Sequence, residues 1–228
     1  MQNIKLDSRL AAVASFVRNG SRVADIGTDH AYLPSYLVQN GISPGALACD
    51  IKEMPLKNAE ETVKDAGLCD KIKTVLSNGL DNIEENSADD IVIAGMGGLL
   101  IAEILERCAW IKNENIRIIA QPMTHAEEVR EFLIKNGFVN DEEKAASDAK
   151  HKYCVICAHY NNNKEQYPRG YIYYGELANK KDSVSKDYLS VQLLRLKKRF
   201  DALEKSKTNK DECIYLKKVI SDFEEKIK

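Results

Sequence analysis

Apolar positions along the first two thirds of this chain keep two alternating rhythms, short runs of four or five residues and stretches spaced at three and four. Leu6, Leu10, Val13 and Val17, with Ala14, share one face of a helix over residues 6–17. A four-residue run at 23–26 predicts a first strand. The helix after it covers 32–38, has Pro34 in its first turn and ends near Asn40-Gly41. Further strands at 45–49, 72–76, 91–94 and 116–120 alternate with helices at 55–66, around Ile101, Ile104 and Leu105, and at 124–136. Residues 138–144 and 152–159 read as an antiparallel edge pair. The sum is an α/β domain over residues 1–163, with a seven-stranded, mostly parallel sheet.

Beyond residue 163 the rhythm changes. Tyr167, Tyr171, Tyr173 and Tyr174 surround Pro168 and Gly170 in a connection whose rings could stack on bases or pack two domains together. Leu189, Leu193, Leu196, Phe200 and Leu203 then keep a heptad seam, and Leu216, Ile220, Phe223 and Ile227 keep a second one. A short loop over 206–211 joins them, so residues 164–228 read as a linker and an antiparallel, coiled-coil-like helical hairpin. Such a pair could grip RNA, mediate dimerisation or cover one side of the sheet.

Charge changes the picture of that appendage. The formal net charge of the 228 residues is -2, yet residues 164–228 hold 16 Lys plus Arg against 11 Asp plus Glu, and residues 1–163 hold 17 against 24. A basic appendage on an acidic body offers local phosphate contacts, or else a solvated helical surface. Hydrophobic residues at 44% and charged residues at 30% are ordinary for a globular protein. No apolar run has the length of a membrane span and no signal-peptide pattern opens the chain, so a cytoplasmic protein is expected. Among the six cysteines only Cys154 and Cys157 are close, and an offset of three on a strand puts them on opposite faces, against a shared metal. His125, His151 and His159 have no ligand pattern and are assigned no catalytic role.

Candidate chemistry gathers where strands give way to glycine. In RVADIGTDHAYLP, Asp25 closes the first strand, Gly27 permits a sharp turn, and Thr28, Asp29 and His30 lead to the next helix, whose first amides would face a ligand. Asp50 ends the second strand, one β-α-β unit later, where an acid accepts hydrogen bonds from ribose hydroxyls. Asn78, after the third strand, carries the donor and acceptor that suit an adenine edge, or makes a simple Asn-Gly turn. Ala94-Gly95-Met96-Gly97 follows the fourth strand and lets a flat ligand approach the backbone, with Met96 against that ligand or in the core. Where a dinucleotide fingerprint needs its second glycine the chain has Asp29, which repels a pyrophosphate; no Walker lysine is present either. S-adenosylmethionine has no phosphate and carries a sulfonium and an ammonium, both compatible with Asp25 or Asp29.

LDSRLAAVASFV, ADIGTDHAYLP, AGMGG and the later QP, in this order, resemble the bacterial family of tRNA (adenine-22-N1)-methyltransferases. The resemblance covers the whole chain. It implies a Rossmann-like class I methyltransferase domain, S-adenosylmethionine as cofactor, and methylation of N1 of an adenosine in the tRNA D-arm region. By that resemblance Asp25, Gly27, Asp29 and His30 form the cofactor junction, which takes in Thr28 as a further cofactor candidate, Asp50 holds ribose, and Gly79 and Leu80 form the adenine-side loop. Gly95, Met96 and Gly97 line the catalytic mouth, and Ala94, Gly95 and Met96 are also candidates for cofactor contact. Asp7 matches a family acid near the target base. The family's Gly-Asp before Gly79 is here Ser77-Asn78, and Ser147-Asp148-Ala149-Lys150 is an eroded form of its Glu-Asp/Glu-Gly-Lys turn.

Adenine N1 has an in-plane lone pair, so the expected work is alignment of nitrogen, methyl carbon and sulfur, with a carboxylate to stabilise the cation that forms. Asp7 is the first candidate for that carboxylate, although it could simply cap its helix. His30 and Met96 are further candidates at the catalytic mouth. No Asn-Pro-Pro-Tyr tetrapeptide, which grips an exocyclic amine, follows the fourth strand. N1 is hidden in a base pair, so the adenosine must be unpaired or swung out. Arg9, Arg18 and Arg22, with Arg195, Lys197, Lys198 and Arg199 on the appendage, are candidate phosphate contacts. The expected partner is tRNA, bound by a monomer or weak dimer without metal or membrane. Methylation of another RNA or a small molecule, and a non-catalytic RNA-binding module, are the alternative readings.

Overall fold

Strands β1 (Val23–Ile26), β2 (Ala46–Asp50), β3 (Ile72–Leu76), β4 (Asp90–Gly97) and β5 (Arg117–Thr124) run parallel in the computed structural model. The structure describes residues 3–149, 151–206 and 209–228. Strands β6 (Phe138–Ser147) and β7 (Lys152–Tyr160) join antiparallel, and the order across the sheet is β3-β2-β1-β4-β5-β7-β6. The chain thus builds outward from β1 through β2 to β3, then returns to start again at β4. The reversal lies between β1 and β4, where an open parallel sheet leaves a crevice at its carboxyl edge.

Strand alternation divides the core into two layers. Ala24, Ile26, Ile91, Ile93 and Ile118 face helices α4 (Gly98–Glu106) and α5 (Ala126–Lys135). Val23, Val92, Ile119 and Val155 face α1 (Ser8–Ala14), α2 (Tyr32–Gln39) and α3 (Glu53–Asp65). Cys154 and Cys157 belong to different layers, as their spacing requires. Asp25 alternates with Ala24 and Ile26, so it emerges on the α1 side of the sheet.

Element boundaries depart from the periodicity for local reasons. α1 starts at Ser8 because Asp7 Oδ1 accepts the Leu10 amide at 2.7 Å, and it ends early as the Phe16 and Val17 amides turn back to the Val13 and Ala14 carbonyls. β5 runs on through Gln121-Pro122-Met123-Thr124, past the expected end at 120. Proline is tolerated there because pairing with β4 is already irregular between Ala94 and Gly97.

The C-terminal helices lie on the sheet. The short α6 (Tyr171–Tyr174) leads to α7 (Ser183–Ser206) and α8 (Lys210–Lys226), and Tyr174, Leu189, Leu196, Leu216 and Phe223 are buried in the same cluster as Ile91 and Ile118. Of the three roles open to this pair, covering one face of the sheet is what the packing displays, and the segments on either side of residue 163 share one core. Val219, outside the predicted seam, is fully buried, because the pair packs against a third surface as well as against itself. The tyrosines are packing residues: Tyr167 lies 4.4 Å from Tyr171, and Tyr174 meets Phe223 edge-on at 5.5 Å. Part of the loop expected over 206–211 lies outside the described residues.

A buried ion pair ties the linker to the sheet. Arg130 on α5 and Glu143 on β6 bond in two places, Nε to Oε1 at 2.7 Å and Nη2 to Oε2 at 2.9 Å, and Arg130 Nη1 donates to the Ile172 carbonyl at 2.8 Å. Both side chains are within 1% of full burial. Gly175, at φ +52, passes so close that a β-carbon would overlap both the carboxylate and the guanidinium. Replacing Arg130 with Met takes the cation from a buried carboxylate that keeps the Asn140 amide as a donor at 2.6 Å, and takes the donor from the Ile172 carbonyl. The expected loss of stability is about 3–5 kcal/mol by urea unfolding; a loss near zero would show that the interior admits water to Glu143.

Several expected phosphate contacts are committed elsewhere. Arg18 Nε binds Asp90 Oδ1 at 2.7 Å and its Nη2 binds the Asp89 and Asn115 carbonyls, while Arg22 pairs with Asp89. These bonds fasten the amino end of β4, opposite the crevice, because both arginines precede β1 rather than follow it. Lys197 pairs with Glu224 and Arg199 with Glu212, as the antiparallel register of α7 and α8 dictates.

Candidate functional site

At the carboxyl edge of β1 the chain turns on Gly27, whose φ of +79 suits glycine and whose missing side chain makes room for Met96; a β-carbon would overlap Met96 Cε. The Gly27 and Thr28 amides both donate to the Cys49 carbonyl, at 2.7 and 2.9 Å. Those amides therefore bind the turn to β2, ahead of the first amides of α2, which starts at Tyr32. Ala31, buried and at φ +50, continues the constrained path, its amide held by Thr28 Oγ1 at 3.1 Å.

This path lines a cleft of about 420 Å³ with Asp7, Arg9, Asp25, Thr28, Asp29 and His30, and Ala94 and Gly95 form its far wall. Asp25 is the buried charge of the site. Burial pushes its carboxyl up to about 6, against the opposing pull of the Thr28 hydroxyl and the Arg9 guanidinium. Asp7 does two things at once, because its Oδ1 caps α1 while the residue stands on the cleft wall. Asp29 is open to solvent, and His30 Nε2 sits 3.4 Å from it with its ring stacked on Tyr32 at 5.1 Å.

Asp50, Asn78, Gly79, Leu80, Met96 and Gly97 are not among the residues that line this cleft and stand at the neighbouring strand ends. Asp50 ends β2, and its Oδ1 accepts the Lys52 amide at 2.8 Å. The loop after β3 reaches back to α4: Gly79 packs on Ile104, and the Asn78 carbonyl accepts from Arg107 at 3.3 Å. Asn78 is exposed there, but the Leu80 side chain is buried in the core, so only its main chain remains for a ligand. Met96 packs over Gly27 and against the core, and a thioether has no proton to give or take, so it is a wall and no acid or base. Gly97 caps α4 beside Thr124. Arg195 and Lys198 stand on α7, outside the cleft.

Sequence reasoning passed over Gln121. It is fully buried, and its Oε1 accepts from Arg9 Nη1 at 2.8 Å and from the Gly95 amide at 3.1 Å, joining α1 to the glycine turn of β4. Its signals were a polar residue directly after an apolar run and its place in the Gln121-Pro122 pair that carries the resemblance. Ile51, Leu76, Leu99, Leu100 and Met123 were also missed; all are large apolar side chains left 45–59% exposed along this same edge.

A sheet that reverses between β1 and β4, ends in an antiparallel pair and opens a carboxylate-lined cleft at the reversal defines a Rossmann-like methyltransferase. A methyltransferase-domain family model matches residues 6–156. The chain is 40% identical over 158 residues to the tRNA (adenine(22)-N(1))-methyltransferase of Bacillus subtilis, an alignment that takes in 69% of this chain and 66% of that relative. The crystal structure of the B. subtilis m1A22 tRNA methyltransferase TrmK matches at a TM-score of 0.85 and 32% identity, over 99% of this chain and 100% of that one. M. capricolum TrmK, solved with S-adenosyl-homocysteine, matches at 0.80 and 31%, over 97% of each chain. The chain belongs to the tRNA (adenine(22)-N1)-methyltransferase family.

Proposed function

We propose that this protein transfers a methyl group from S-adenosylmethionine to N1 of adenosine 22 in the D-arm region of tRNA. The likeness to an m1A22 methyltransferase over the full length of both chains carries the reading. The cleft agrees with it. Asp25 is a buried carboxylate, Arg9 is the cation that acts on it among the described residues, and the surrounding acids repel phosphate, a donor set that suits an ammonium-bearing, phosphate-free cofactor. Bound S-adenosylmethionine supplies an activated methyl group on a sulfonium.

The chain's own residues do the rest. Asp25 takes the amino group, Asp50 the ribose hydroxyls, and Asn78 with the Gly79-Leu80 main chain the adenine of the cofactor. Gln121 holds Arg9 and the Gly95 turn still, which fixes the width of the mouth through which the target base enters. Asp7, its position set by the cap of α1, places a negative charge where the base becomes a cation. The absence of a grip for an exocyclic amine after β4 favours attack by the ring nitrogen. A monomer or weak dimer is part of the same proposal.

The test is incorporation of labelled methyl into two tRNA transcripts that differ only in having adenosine or guanosine at position 22. One methyl per adenosine-22 transcript and none in the other is expected. Equal labelling of both would overturn the position, and labelling of neither would overturn the function.

A further inference from the structure

A second concavity lies beside the cleft. The carboxyl end of β5, the start of β7 and α7 enclose about 200 Å³, lined by Pro122, Met123, Thr124, Tyr153, Gln192 and Arg195. It borders the mouth directly, since Met96 pairs with Pro122 and Gly97 with Thr124. Tyr153 is part of this lining, and its hydroxyl donates to Asp148 Oδ2 at 2.5 Å.

The lining selects a ligand class. Lys152 is engaged by Asp187 at 2.7 Å, His125 by Glu127 at 3.2 Å and His151 by Asp148 at 3.8 Å. Among the described residues Arg195 makes no ion pair, so it is the groove's cation available to a phosphate. Opposite it Met123 is 46% exposed next to Pro122, a flat apolar surface for a base, and Thr124 and Gln192 offer polar atoms for a base edge. A target adenosine swung into the cleft stays covalently joined to its neighbours, and one of them has to leave the mouth along a wall.

Resting on the function proposed above, we propose that this groove is the subsite for the nucleotide adjoining the target adenosine, with Arg195 on its phosphate and Met123 against its base. Lys197 and Arg199 do not share this position, because they pair with Glu224 and Glu212 on α8.

The experiment measures tRNA binding by the whole protein as a function of salt, together with methyl transfer, for wild type, Arg195→Gln and Met123→Ala. Arg195→Gln is expected to weaken tRNA binding about 5- to 20-fold at low salt and to reduce the slope of log affinity against log salt by about 1. Met123→Ala is expected to weaken binding about 5-fold or more with the slope unchanged, as lost stacking requires. Cofactor affinity stays at the wild-type value in both variants. If wild type methylates the tRNA and Arg195→Gln matches it in affinity and slope, the groove assignment is overturned and the proposed function stands. If wild type neither binds nor methylates tRNA, both are overturned.

Discussion

Asp7→Asn is expected to slow methyl transfer about 100-fold at saturating cofactor and tRNA, while leaving the melting temperature within about a degree of wild type. Asparagine caps a helix as well as aspartate does, so the bond from the Leu10 amide survives. What disappears is the negative charge on the cleft wall at the moment the base turns cationic. Asp7→Ala removes both, and is expected to lose the same rate plus about 1 kcal/mol of stability. The pair of variants separates the two jobs of one carboxylate. Equal rates for wild type and Asp7→Asn would reduce Asp7 to a cap.

Asp25→Asn is expected to raise stability and abolish useful cofactor binding together. Its carboxyl, raised from 3.8 to about 6 by burial, holds its proton more tightly in the folded than in the unfolded chain. Between those two values the unfolded state ionises first, so Asp25 makes the folded state progressively less stable as pH rises from about 4 to about 6. Above pH 6 the full cost, about 2–3 kcal/mol, is present. The neutral amide escapes this cost, so the variant gains up to that amount at pH 7. It also loses the charge that takes the cofactor's amino group, and affinity for S-adenosylmethionine is expected to fall at least about 100-fold. In wild type the same ionisation makes cofactor binding weaken as pH drops below about 6, approaching tenfold per unit. Calorimetric titration between pH 5 and 8 reads this directly; a flat profile in wild type would mean that Asp25 does not meet the ammonium.

The parallel strands and their order of appearance were legible because short apolar runs alternate with helical spacing. Gly27 follows β1, Asp50 is the last residue of β2 and Gly95 lies in the irregular end of β4, and the cleft formed at that carboxyl edge. What the chain could not reveal one segment at a time was partnership. Arg18 and Arg22 look like pocket arginines until the sheet sets Asp89 and Asp90 beside them at its other end. Lys197 and Arg199 look like a basic patch until α8 supplies Glu224 and Glu212. Gln121 is one polar residue in an apolar strand, and its meaning depends on Arg9, 112 positions away. The glycine turn was legible as a turn, but its fastening to Cys49 was not, because that bond depends on β2 lying beside it.

The central claim is that this cleft directs a methyl group to a ring nitrogen of a swung-out adenosine in tRNA. Nucleoside mass spectrometry of unmodified tRNA after reaction at neutral pH tests it most directly. One N1-methyladenosine in place of one adenosine, mapped to the D-arm region, is expected. N6-methyladenosine as the primary product, or a methyl on any other nucleoside, would contradict it.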